Sequence, residues 1–101
     1  MNLGINSQQN TVMFVTSQPE VRQYLYELFA NPKLPLHKDY QVVGDAPTRS
    51  LAITMARERK PTLILFFKKT AGNVSIVETI YKLRLTGARI LYFSTQRMIG
   101  D

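Results

Sequence analysis

The chain has 101 residues, a formal net charge of +6 and no cysteine. This length favours one domain, and the lack of cysteine excludes a disulfide framework, thiol catalysis and thiolate metal sites. No apolar run reaches the roughly 18 residues of a membrane span, and residues 1–10 lack the features of a signal peptide. We therefore expect a cytoplasmic protein without membrane insertion, with a flexible polar lead at 1–10 and a domain at 11–101.

The basic residues are scattered along the chain rather than gathered into one stretch. The densest run, Arg57–Lys60, also contains the acidic residue Glu58. A high positive charge favours nucleic acid as a partner, although charge pattern alone is a weak signal. A small basic nucleic-acid-binding module is therefore the alternative function that the sequence leaves open.

Four short apolar runs are rich in strand-forming residues. Each run is too short for a typical helix. The third is nearly continuous in large apolar residues, which predicts a central strand covered on both faces. The predicted strands are Thr11–Val15, Tyr40–Gly44, Thr62–Phe67 and Ile90–Phe93, the last ending at Ser94-Thr95.

The segments between these runs have apolar residues at helical spacing. Ser17 with Glu20, and Ser75 with Glu78, have the spacing of a capping box at a helix start, and Gly87 suits the C′ position after the last helix. The predicted helices extend from Pro19 to Ala30, from a start within Asp45–Thr48 to near Lys60, and from Ser75 to just before Gly87. The apolar stripe of the last helix is predicted to contain Ile76, Val77, Ile80 and Leu83.

Strands and helices therefore alternate in the order β-α-β-α-β-α-β. This alternation predicts a three-layer α/β/α sandwich around a parallel sheet. Right-handed crossovers leave few topologies, and the flavodoxin-like strand order 2-1-3-4 is the natural one.

In addition to the predicted fold, the local sequences of several segments resemble those of a known protein family. The segments are Pro19–Arg22, Tyr40–Ala46, Ala52–Arg57, Lys60-Pro61 and Leu63–Leu65. In element order, spacing and local sequence, the run from Thr11 to Thr95 resembles a CheY-like response-regulator receiver domain of two-component signal transduction. The resemblance covers most of the chain and implies a receiver-like fold, truncated after strand four.

The functional positions of that family are altered in this chain. Phe67 stands where a receiver has its phospho-acceptor aspartate, and Thr16 and Ser17 stand where it has the acidic pair that holds Mg²⁺. Ser94 matches the switch hydroxyl, with Thr95 as a near alternative. An aromatic ring has no nucleophilic oxygen, and two hydroxyls without a carboxylate are poor ligands for magnesium.

The resemblance therefore implies a degenerate receiver, or pseudo-receiver, without phosphorylation, metal or cofactor. We expect the ring of Phe67 to fill the emptied pocket. No catalytic triad, carboxylate pair or glycine-rich phosphate loop is present in the sequence, so we expect that the protein is not an enzyme.

The resemblance also predicts an interaction surface. A complete receiver continues with a fourth helix where this chain reaches Gly100-Asp101, so we expect either a naturally short domain or the N-terminal part of a longer protein. Strand four would then be an edge strand, which is a template for pairing with another chain. The expected interface for a protein partner or a homodimer consists of Ile90, Leu91, Tyr92 and Phe93, together with the helix Ile76–Leu83.

Two further features of the sequence indicate a functional site only weakly. Lys68 and Lys69 follow the central strand, where ligands bind in open α/β sheets; they predict either an anion site or two solvated lysines. His37 is the single histidine and lies in a proline-flanked segment, so we interpret it as a surface loop residue.

The function predicted from the sequence is a phosphorylation-independent interaction or dimerisation module of a bacterial regulatory or localisation protein.

Overall fold

Within the part of the chain that the computed structural model describes, residues 10–72 and 74–94, parallel strands form one sheet of order β2-β1-β3-β4. The predicted α/β fold and strand order 2-1-3-4 are confirmed. The strands are β1 Thr11–Val15, β2 Gln41–Ala46, β3 Leu63–Phe67 and β4 Arg89–Phe93. The helices are α1 Pro19–Ala30, α2 Leu36–Asp39, α3 Arg49–Arg59 and α4 Ile76–Arg84. The predicted lead, apart from Asn10, and Thr95 lie outside the described residues.

The second strand is longer than the sequence predicts. Asp45 and Ala46 belong to β2 and do not start a helix, because they continue the ladder with β1 up to the pair Val15–Ala46. A register shift precedes this pair, and Gly44 has a φ of 153° beside it. Helix α3 therefore begins later, behind Thr48, whose side chain accepts a hydrogen bond from the Leu51 N–H at 3.2 Å.

One of the two predicted capping boxes is wrong. The hydroxyl of Ser75 caps α4 by accepting from the Glu78 N–H at 3.0 Å, as predicted. Helix α1 instead begins behind Gln18, without a side-chain cap. Ser17 lies one residue too early to be this cap, and its hydroxyl donates to the carbonyl of Lys69 at 2.9 Å.

The structure corrects three details of the helical segments. Val77 does not belong to the packed stripe of α4, because it is 78% exposed. Gly87 is not the first residue after α4; it takes a φ of 97° two residues after the C-cap Leu85. His37 lies in α2 rather than in a loop, and it is exposed as expected.

The sheet separates two apolar clusters because successive strand residues point to opposite faces. On one face, residues such as Met13, Ile64 and Phe66 pack against α3 and α4. On the other face, residues such as Val12 and Phe14 pack against α1. In β3 the residues Ile64, Leu65 and Phe66 are buried, while Leu63 and Phe67 at its ends are only partly covered.

The helix layers cover the two faces unequally. Helices α3 and α4 lie side by side, α3 over β2 and β1 and α4 over β4. On the opposite face, α1 contacts β2 and α2. Within the described residues it covers one half of the sheet and leaves β4 and the two ends of β3 open beside it, whereas Leu65 in the middle of β3 is buried. None of the helices in the described part of the chain is long and apolar enough to cross a membrane.

Candidate functional site at the carboxyl edge of the sheet

The positions that match the receiver site meet at one edge of the sheet. The ladder pairs Val15 with Phe66 and Phe67 with Phe93. Thr16 and Ser17 follow β1, and Ser94 follows β4, so all of these positions lie at the carboxyl ends of neighbouring strands. Parallel strands make this grouping unavoidable, since their ends point the same way.

The two hydroxyls at the metal positions are used by the backbone. Thr16 is 2% exposed, and its Oγ1 accepts a hydrogen bond from the Gln18 N–H at 3.2 Å. The Oγ of Ser17 donates to the Lys69 carbonyl at 2.9 Å, and the Ser17 N–H donates to the same oxygen at 2.9 Å. Among the described residues, no group of three His, Cys, Asp or Glu side chains is arranged to hold a metal ion. The residues at this edge therefore do not fit Mg²⁺, which prefers carboxylate oxygens.

The ring of Phe67 takes part in an aromatic stack instead of closing a pocket. It lies on Phe93 with ring centres 4.6 Å apart and an angle of 12° between the planes. The ring also lines an open groove beside α1, and neither Thr16 nor Ser17 is among the residues that line it. The expectation that this ring fills an emptied phosphorylation pocket is therefore wrong, because the side chain leans towards the uncovered half of the sheet.

The loop after β3 is fixed by an arginine that sequence patterns did not single out. Arg49, the first residue of α3, donates through Nη2 to the Gly72 carbonyl at 2.6 Å and through Nη1 to Oγ1 of Thr70 at 3.3 Å. Its own N–H donates to the Ala71 carbonyl at 2.9 Å. These partners lie some twenty residues away in the sequence, so no local motif predicts the contact. Arg49 therefore sets the shape of the edge.

The side chains of Lys68 and Lys69 are exposed at this edge. The backbone at both residues is fixed: the Lys68 N–H donates to the Phe93 carbonyl at 2.8 Å, and the Lys69 carbonyl accepts from Ser17. Lys68 and Lys69 directly follow the central strand β3, as the sequence predicts. Their use as an anion site stays a prediction.

Beside Phe67 lies an apolar groove of about 730 Å³, which we call the α1 groove. Its wall is one side of α1, including Val21 and Tyr24, and its floor is the neighbouring face of β3 and β4. The floor residues are Leu63, Leu65, Phe67, Leu91 and Phe93. Leu91 is 50% exposed and Phe93 is 43% exposed, whereas Leu65 is buried, so it is the β4 part of this floor that is most in contact with water.

Strand β4 has a free backbone edge in the described part of the chain. The Arg89 N–H donates to the Thr62 carbonyl, and the Phe93 carbonyl accepts from Lys68, so alternate residues of β4 bond to β3. The backbone groups of Ile90 and Tyr92 therefore point away from the sheet. The predicted interface residues Ile90, Leu91, Tyr92 and Phe93 all lie on this outer strand, and their role in association stays a prediction.

No model of a known protein family matches the chain, and no curated protein matches its sequence. Solved structures do match. A two-component response regulator of the LuxR family from Aurantimonas sp. SI85-9A1 has a TM-score of 0.67 at 24% identity, over 89% of this chain and 61% of that one. The response regulator domain of CheB from Thermotoga maritima has a TM-score of 0.67 at 22% identity, over 84% and 60%.

A third match is the anti-anti-sigma factor PhyR from Bartonella quintana in complex with the anti-sigma factor NepR. Its TM-score is 0.62 at 28% identity, over 86% of this chain and 33% of that chain. This chain thus spans about a third of PhyR and about three fifths of the other two proteins. Together with the strand order, these likenesses show that the chain has the receiver-like α/β fold of response regulators.

Proposed function

We propose that this chain is a pseudo-receiver that associates with other proteins without phosphorylation, in a bacterial regulatory or localisation protein. The observation that carries the proposal is the carboxyl edge of the sheet. Phe67 supplies no oxygen there, and the hydroxyls of Thr16 and Ser17 are committed to backbone groups. A phosphoryl group would find neither an acceptor nor a magnesium site.

Phosphate analogues provide the first test. The chain is titrated with beryllofluoride and with acetyl phosphate in the presence of Mg²⁺, while its amide NMR spectrum is recorded. We expect no change, because the groups that bind the analogue in a receiver are missing. A phosphorylatable receiver domain treated in the same way is the control. A response of this chain that requires Mg²⁺ would overturn the proposal.

The surfaces of β4 and α4 support the association part of the proposal. Leu91, Tyr92 and Phe93 are between 38% and 50% exposed on the outer strand, and large apolar side chains grouped on a surface are typical of interaction sites. The solved PhyR structure contains the anti-sigma factor NepR, so a protein with a domain of this fold binds a protein partner. A self-association of this chain is the simplest form of the same behaviour.

Replacement of Leu91 tests this surface. Leu91→Glu places a carboxylate on the exposed floor of the α1 groove, and we expect association to be lost because the charge would have to be desolvated. The matched control is Leu51→Glu on α3, since Leu51 is 42% exposed but lies outside β4 and α4. Sedimentation velocity measures the assembly state. Equal behaviour of both variants would exclude β4 as the interaction surface.

A further inference from the structure

Helix α4 carries a second apolar stripe that no other part of the described chain covers. Val77, Tyr81 and Leu85 are 78%, 63% and 69% exposed. They are spaced four residues apart, so they lie on one side of the helix and its last turn. We call them the α4 ridge. The buried residues Thr79 and Leu83 lie on the side that faces the sheet.

The α4 ridge and the α1 groove lie on opposite faces of the same sheet. Helix α4 packs on the cluster that contains Phe66, whereas the groove floor belongs to the cluster that contains Leu65. The ridge therefore cannot enter the groove of its own chain. Two uncovered apolar surfaces on opposite sides favour contact between different molecules, in which one copy supplies the ridge and another the groove.

The two surfaces have similar lengths. From Val77 to Leu85 the helix rises about 12 Å, at about 1.5 Å per residue. The five residues of β3 span about 13 Å between their first and last Cα atoms, at about 3.3 Å per residue. One α4 ridge would therefore run along the whole groove floor.

The charges beside these surfaces are complementary. Two acidic residues lie beside the groove: Glu20 lines it, and Glu27 lies two turns further along α1. Arg22 is the single basic residue of α1. It does not line the groove but lies near Tyr26, where its charge affects the ionisation of the phenol. The α4 ridge, in contrast, ends beside the exposed Arg84, while the neighbouring Lys82 pairs with Glu78 on the same helix. This pairing of unlike charges favours a second copy of the chain as occupant, despite its net charge of +6.

We propose that the α1 groove of one copy receives the α4 ridge of a second copy, which covers the open half of the sheet with a helix. The inference rests on the proposed association function and specifies its partner and geometry. Because the groove and the ridge lie on opposite faces of each copy, the contact is head-to-tail. Assemblies therefore grow beyond dimers as the concentration rises.

A mixing experiment tests this geometry. Leu91→Glu disables the groove and keeps the ridge, while Tyr81→Glu disables the ridge and keeps the groove. We expect each variant alone to be monomeric in sedimentation equilibrium, and an equimolar mixture to form a 1:1 dimer that grows no further. A symmetric contact cannot give this result, because both variants would then carry a damaged half of the same interface.

Folding and charge are checked with further variants. Circular dichroism and amide spectra establish that each variant is folded, and Leu51→Glu should associate like the wild type.

Glu27→Lys and Arg84→Glu change exposed residues, so they test the contact without disturbing the core. Each should weaken association, and the double variant should restore it because the charge pair is exchanged.

The outcomes separate this inference from the proposed function. If the wild type associates but the mixture of variants stays monomeric, the head-to-tail contact is overturned and association through another surface stands. Loss of association in Tyr92→Pro, which removes a backbone donor of the free strand edge, would then indicate pairing between edges. A wild type that is monomeric at every concentration also overturns the inference, whereas the phosphate-analogue titration alone decides whether the domain is a pseudo-receiver.

Discussion

The surroundings of Tyr26 strongly perturb its ionisation. Partial burial, followed by a hydrogen bond to the Asp45 carboxylate and the charge of that carboxylate, raises the pKa of Tyr26 from 10.0 to about 12. The phenol Oη donates to Oδ2 of Asp45 at 2.6 Å. This contact joins α1 to β2 and holds the helix over that half of the sheet.

The raised pKa of Tyr26 predicts a loss of stability in alkali. The unfolded chain releases this proton near pH 10.0 and the folded chain near pH 12, so the contribution is complete below pH 10 and disappears as the pH rises to about 12. Spectrophotometric titration should show one late tyrosine transition, which Tyr26→Phe removes. The same variant should lower the free energy of unfolding at pH 7 by about 1 kcal/mol. A Tyr26→Phe titration identical to the wild type would contradict this assignment.

Phe67→Asp restores the carboxylate expected in a receiver but not its surroundings. The change removes the stack on Phe93 and places a charge beside apolar side chains, so we expect the free energy of unfolding to fall by about 2 kcal/mol. Phosphorylation should not return, because Thr16 and Ser17 supply no carboxylate. Chemical denaturation and mass spectrometry after treatment with acetyl phosphate measure the two effects. A phosphorylated product would show that the neighbouring positions are not limiting.

Residue identity shows which side chains stand at this edge, but it does not predict their geometry. That Phe67, Thr16 and Ser17 lack carboxylates is visible in the sequence. The direction of the Phe67 ring is set by Phe93, which is 26 residues away by numbering and joins it only through strand pairing. The contacts of Arg49 depend in the same way on the meeting of two loops. Patterns of local spacing contain no information on either contact.

At the scale of elements, the two serines predicted as helix caps should behave differently. Ser75→Ala removes the cap of α4, and we expect a cost of about 1 kcal/mol in the free energy of unfolding. Ser17→Ala removes a hydrogen bond to the Lys69 carbonyl and leaves the start of α1 unchanged. Urea denaturation gives the cost, and amide exchange in the first turn of each helix locates it. Faster exchange at the start of α1 in Ser17→Ala would contradict the structure.

Most elements could be predicted because their apolar spacing is local. Helix α1 has the predicted bounds, and β1 does as well. The end of β2 could not be predicted, since Gly44-Asp45-Ala46-Pro47 has the composition of a turn. In the structure, pairing with β1 across a register shift keeps this segment extended. The position of α3 follows from that pairing rather than from its own sequence.

At the scale of the whole molecule, several of its basic residues are engaged internally. Arg49 and Arg59 donate to the carbonyls of Gly72 and Val43, both at 2.6 Å, and Lys82 pairs with Glu78 at 3.0 Å. We therefore expect weak binding of generic DNA and RNA even at low salt, measured by fluorescence anisotropy of labelled oligonucleotides. Tight binding that falls steeply with salt would instead support the nucleic-acid alternative.

The open half of the sheet also determines which part of the molecule opens first. Strand β4 is bonded on one side only and is covered by a helix on one face. The amide hydrogens of Ile90 and Tyr92, which point away from β3, should exchange with solvent quickly, whereas those of Leu91 and Phe93 should be protected until β4 detaches. In the proposed assembly the exchange of Leu91 and Phe93 should slow further, because a helix on the groove floor holds β4 in place, whereas Ile90 and Tyr92 at the free edge should stay fast. We therefore expect β4 to be the least stable strand of the isolated chain, so that the exchange rates of Leu91 and Phe93 report whether a second molecule is bound.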